Sequence, residues 1–123
     1  MNVSTRRLAD LTLLGVAGRV DHRSAGELEA ALGDAMTSPG ALLLDFSGVE
    51  YISSVGLRVL MVAARHRRAE QAGFAIASLQ PVVAEIFAIS RFDKVLPVYD
   101  DVAAALAALS PSALVAWRAA GPV

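Results

Sequence analysis

Few residues in this chain could do chemistry, and the most conspicuous are Ser53 and Ser54. They stand where an apolar strand runs into a helix, with Gly56 close behind. A helix start offers unpaired backbone N–H groups and the positive end of the helix dipole. Serine is a favoured cap there, and an anion is tolerated. A phosphate on such a serine would add about −1.5 to −2 charges where the helix accepts them. Gly56 has no side chain, so a neighbour could approach the backbone closely in that first turn. Asp21 and His22 raise the thought of a Ser–His–Asp hydrolase with Ser54. Neighbours in sequence cannot supply the required relay, because the carboxylate must bond the imidazole's far nitrogen. The nucleophile elbow Gly-x-Ser-x-Gly is also missing. With two histidines, His22 and His66, and no cysteine, there is little material for a metal site. Neither a metal nor a cofactor is expected. Arg65, Arg67 and Arg68 read as a basic cluster that complements the end of a helix. Asp45, at the end of a strand, reads as a turn-former.

The elements that position these residues follow from periodicity. Residues 11–17 form a largely buried strand, and residues 3–8 pair with it through a turn at Ala9-Asp10. Ser24 and Glu27 have the spacing of a capping box. Leu28, Ala31, Leu32 and Ala35 follow at helical spacing, and Pro39-Gly40 stops that helix. Residues 41–46 (ALLLDF) are continuously apolar, which predicts a strand covered on both faces. Residues 47–54 read as a loop. A long helix starts near Ser54 and ends by Gly73. Residues 74–78 are a strand, Pro81 opens a helix through Ile89, and residues 95–98 with Pro97 suit an edge strand. Asp100-Asp101 precede a last helix, Val102 to Leu109. This alternation predicts a single α/β domain, with a mixed sheet of about four to five strands and about four helices. The domain spans residues 1–109. Residues 110–123, broken by Pro111, Gly121 and Pro122, form a tail that is flexible or docked.

The helix after Ser54 carries apolar residues on more than one side. Leu57, Leu60, Met61 and Ala64 share the face that should meet the sheet. Val59, Val62 and Ala63 point away from it, beside Arg58 and His66. Something should cover that outer side, either a partner protein or the tail with Trp117.

Composition narrows the function classes. The 123 residues are 55% hydrophobic and 19% charged, with a net charge of −1. A nucleic-acid binder would need a basic face, so nucleic acid is not an expected partner. The mean hydropathy of +0.53 raises the question of a membrane. The longest apolar run, Val102 to Leu109, is far short of the roughly 18 residues a spanning helix requires. Arg6-Arg7 faintly echoes a twin-arginine signal, but Asp10 and Thr12 interrupt the run that follows. A cytoplasmic protein without membrane insertion is expected.

The segment Leu43–Leu57 (LLDFSGVEYISSVGL) resembles the signature of STAS domains, which include the bacterial anti-sigma factor antagonists. Gly18-Arg-Val-Asp21, Gly73-Phe-Ala-Ile-Ala, Pro81-x-Val, Ile86-Phe87 and Phe92-Asp-Lys-Val95 extend the resemblance over about residues 3–109. In the family the segment before the helix reads Asp-Ser-Ser/Thr-Gly, and a partner kinase phosphorylates the first of those serines. Aligned on the glycine, that serine is Ser54. The family's Asp is Ser53 here, and its second hydroxyl residue is Val55. The family aspartate near the phosphoserine matches Asp21.

The resemblance implies partner switching rather than enzymatic activity. The unphosphorylated domain would bind an anti-sigma factor, a serine-protein kinase of ATPase-like fold. Phosphorylation of Ser54 would release it, and a phosphatase would reset it. Ser54 is then the phosphorylation site, supported by Asp21, Ser53 and Gly56, with Arg58, Val59, Val62 and His66 in the partner surface. The replacement of the family Asp keeps an alternative open: a non-phosphorylated STAS subunit of a membrane transporter or signalling assembly. Small-molecule binding is a third reading, and no residue specifies a ligand for it.

Overall fold

A computed structural model describes residues 1–121. Five strands form one sheet in the order β1-β2-β3-β4-β5: β1 Asn2–Leu8, β2 Leu11–Val20, β3 Ala41–Ile52, β4 Phe74–Ala77 and β5 Val98–Tyr99. β1 runs antiparallel to β2, and every later pairing is parallel. The helices are α1 Ala25–Ala35, α2 Ser54–Ala69, α3 Pro81–Ile89, α4 Val102–Leu109 and α5 Pro111–Ala120. The α/β class and the mixed sheet match the expectation from sequence. Five helices stand where about four were expected, because residues of the tail are helical.

The apolar run of β3 explains the two-sided core. Leu42, Leu44 and Phe46 point to one face, where they pack with Leu28 and Leu32 of α1, Leu60 of α2 and Val83 and Phe87 of α3. Leu43 points to the other, with Leu106 of α4 and Ala113 of α5. Alternate side chains of a strand must diverge in this way. No described helix is long and apolar enough to cross a membrane.

Three local readings need correction. Residues 47–52 continue β3 rather than forming a loop. β2 and β3 stay paired across two register irregularities, one between Gly15 and Ala17 and one between Gly18 and Arg19. Gly18 sits there at φ +99°, where a side chain would be strained. The Ser47-Gly48 pair that suggests a turn instead lets the strands close up, since a Cβ on Gly48 would lie 2.7 Å from that of Ala17. Second, β5 is Val98–Tyr99, not residues 95–98. Phe92–Lys94 form a 3-10 turn, and Leu96 drops into the core. Pro97 stays at the edge and contributes its carbonyl to the Ile76 N–H at 3.0 Å.

Third, Ser24 and Glu27 make no capping box. The Ser24 hydroxyl instead donates to the Arg19 carbonyl (2.8 Å) and accepts from the Asp21 N–H (3.0 Å). It fastens the β2–α1 turn. The long helix does end by Gly73, as expected: α2 stops at Ala69. The Gln71 N–H bonds the Arg68 carbonyl, and the Ala72 N–H bonds the Arg67 carbonyl, as in a Schellman closure. Gln71 takes the left-handed conformation that closure requires, at φ +56°.

The tail docks. Ser110 caps α5 through the Ala113 N–H (3.2 Å), and its hydroxyl donates to Asp10 in the β1–β2 turn. Trp117 and Leu114 pack on the core layer beneath α4. The tail therefore covers the sheet face opposite α2, and not the outer side of α2. Residues 122 and 123 of that tail lie outside the described residues.

Candidate functional site

The ends of β2 and β3 bring the predicted residues together. Val20 pairs with Ile52, and the Ser53 N–H donates to the Val20 carbonyl at 2.8 Å. Asp21, the next residue after Val20, is thereby placed beside the start of α2. Ser53 is the N-cap: its backbone is extended (φ −85°, ψ 171°), and its hydroxyl accepts from the Gly56 N–H at 3.3 Å. Serine and aspartate are about equally good caps, so Ser53 does locally what an aspartate there would do. Ser54 is the first helical residue and is exposed. Its hydroxyl has no protein partner among the described residues, so a substituent could be added there without breaking a bond.

Gly56 departs from expectation. It is buried, and a Cβ would lie 2.8 Å from Val20 Cγ1 and Ile52 Cγ1. Its bare backbone admits the chain's own core, not an incoming molecule. It supports the serine pair from beneath by letting α2 start close against β2 and β3.

Asp21 is held by its own turn. Its carboxylate accepts from the Arg23 N–H at 2.9 Å, and its carbonyl accepts from the Ala25 N–H at 2.8 Å. The Arg23 amide, helped by the Ser24 region and by His22 and Arg19, lowers the pKa of the carboxyl against the opposing effect of partial desolvation. Asp21 is thus a fixed anion at neutral pH. His22 is exposed, and no carboxylate–imidazole bond orders it among the described residues. No cluster of three or more potential metal ligands occurs among them either.

Arg58, Val62 and His66 follow Ser54 at four-residue intervals, so the four lie in one stripe along α2. All four are exposed, Val62 at 57%. His66 Nε2 lies 3.4 Å from Glu70 Oε1 one turn on. Val59 is only half-buried and Ala63 is buried, so the outward cluster expected from sequence divides. The physical cause is α1. Val59, Val62, Ala63 and His66 form one wall of a groove of about 260 Å³, with Leu32 of α1 and the following Met36 opposite. Sequence reasoning missed the α1 wall; its only signal was the spacing of Glu29, Leu32 and Met36 on one side of that helix. Arg67 also left its expected place. It is 3% exposed and bonds the Gly73 carbonyl at 3.0 Å, so it is a buried strut and not part of a solvated cluster.

The sequence model of the family described as "Mlab, STAS domain" matches residues 3–98. A protein of Bordetella bronchiseptica provisionally named anti-sigma factor antagonist BtrV is 34% identical over 110 residues, covering 88% of this chain and 94% of that one. The anti-sigma-F factor antagonist RsfB of Mycobacterium tuberculosis is 39% identical over 51 residues, covering 41% of this chain and 42% of that one. A solved anti-sigma factor antagonist from Mycobacterium paratuberculosis superposes with a TM-score of 0.80 at 28% identity, over 88% of this chain and 92% of that one. Fold, family match and relatives agree: the chain belongs to the STAS domain family, with the anti-sigma factor antagonists.

Proposed function

We propose that this chain is an anti-sigma factor antagonist that works by partner switching, with Ser54 as its phosphorylated residue. The observation that carries this reading is the Ser53–Ser54 pair: one hydroxyl caps the helix, and the other is exposed and unbonded among the described residues, next to the Ser53 N–H that ties α2 to Val20 ahead of Asp21. In the unphosphorylated state the α2 stripe and the groove against α1 bind an anti-sigma factor, a serine kinase of ATPase-like fold. Val59 and Val62 supply apolar contact, and Arg58 and His66 flank them. The chain is substrate and ligand in this exchange and performs no catalysis. The exchange takes place in the cytoplasm, where ATP and the sigma factor are found.

Phosphorylation would act by charge. A phosphate on Ser54 sits on the helix dipole and within reach of Arg58 one turn below, so the free domain tolerates it. In a closed interface the same group is desolvated beside the fixed Asp21 anion, and the complex weakens. Asp21 thus makes the switch one-sided, and a phosphatase reverses it. The alternative, constitutive docking on a transporter or signalling assembly, draws on Val55, which is 45% exposed where the family carries a hydroxyl.

The test is incubation with the cognate kinase and ATP, followed by mass spectrometry. One phosphate at Ser54, absent in Ser54→Ala, is the expected result. An unmodified chain, with the kinase active on another substrate, would contradict the proposal and favour the constitutive reading.

A further inference from the structure

At the far end of α2 lies a second cavity of about 260 Å³, bounded by Arg67, Arg68 and Gln71 and by the apolar side chains of Phe74, Val95 and Leu96. Arg67 Nη2 donates to the backbone carbonyls of Gly40 and Gly73, just ahead of β3 and β4. Those bonds use two of the guanidinium's five N–H donors. Nε is buried without a partner. No carboxylate forms an ion pair with Arg67 among the described residues, and Glu70 lies against His66 instead. A guanidinium keeps its charge in proteins, and a buried charge with no carboxylate in contact is costly. Arg68 adds a second cation at the rim, where its Nη2 donates to the Val95 carbonyl at 3.1 Å.

We propose that this cavity binds a small organic carboxylate, with the anion on Arg67 and Arg68 and the apolar body against Phe74, Val95 and Leu96. The volume sits just under the usual range for ligand pockets, roughly 300–1,000 Å³, and suits a small guest. The greasy walls disfavour a fully hydrated anion such as sulfate, and the paired cations disfavour a neutral guest. The site lies about 20 Å along α2 from Ser54, so it stands or falls independently of phosphorylation.

Benzoate and its neutral isostere benzamide test the proposal by titration into the isotope-labelled full chain, followed by backbone amide NMR. Benzoate is expected to shift Ala72, Phe74 and Leu96 saturably, with benzamide at least about tenfold weaker. Arg68→Gln, at an exposed side chain, is expected to fold normally and to bind benzoate about three- to tenfold more weakly. Shifts that do not saturate at these residues, or benzamide matching benzoate, would overturn the proposal and leave Arg67 as a strut alone.

Discussion

The two ends of α2 solve opposite problems. At its start Ser53 caps the helix through a neutral hydroxyl, and Ser54 presents an unbonded hydroxyl to solvent. At its end Arg67 is buried, permanently charged, and tied to the backbone ahead of two strands. The difference shows where this fold places fixed charge and where it leaves room for charge to be added. The fixed cation is woven into the sheet. The open hydroxyl lies at a surface stripe, outside the packed core.

Substitutions can break or sharpen that contrast. The largest expected effect is Arg67→Met, which takes the side-chain donor from the Gly40 carbonyl and leaves the Gly73 carbonyl with the Leu42 N–H alone. A loss of about 2–3 kcal/mol in urea unfolding is expected, roughly 1–3 kcal/mol for the orphaned carbonyl and less for the one that keeps a donor. Gly56→Ala comes next. Its Cβ would press on Val20 and Ile52, and about 1–3 kcal/mol should be lost, with a changed tilt of the helix start visible in Ser54 amide shifts. Ser53→Ala should cost about 1 kcal/mol through the lost cap. Its neighbour Ser54→Ala should change stability by less than about 0.5 kcal/mol, because that hydroxyl bonds nothing among the described residues. Equal costs for the two serines would contradict the separation of structural and exchangeable roles.

A smaller effect concerns the tail. Asp10 is held below the usual carboxylate range, first by the Ser110 hydroxyl and then by its own turn. Because its folded pKa is the lower one, its contribution is present at neutral pH. It is lost as the pH falls below about 4 and through the depressed folded value. Fluorescence of Trp117, the single tryptophan, should report loosening of α5 in that window. Asp10→Asn should shift the response or abolish it.

Much of this was legible in the sequence, for identifiable reasons. The continuous run Ala41–Phe46 announces a strand buried on both faces, and a serine pair between strand and helix announces a cap. What was hidden needed a partner strand or a distant residue. Ser47-Gly48 reads as a turn until Ala17 is seen packed against it. The Ser24–Glu27 spacing fits a capping box, yet the Arg19 carbonyl competes for the hydroxyl. The Pro111 and Gly121 breaks hide α5, whose docking is fixed by Ala113, Leu114 and Trp117 on the core and by Asp10, a hundred positions away. Arg67 is one of three arginines within four positions, and nothing local says which of them turns inward. The serine end of α2 is therefore readable from sequence alone, while the arginine end is a tertiary fact.

The most direct measurement is the affinity of the partner anti-sigma factor for this chain before and after stoichiometric phosphorylation of Ser54. The account predicts tight binding of the unmodified chain and of Ser54→Ala. It predicts weakening by at least about tenfold, or 1.4 kcal/mol, for the phosphorylated chain, with thermal stability unchanged. Equal affinity of the two forms would contradict it.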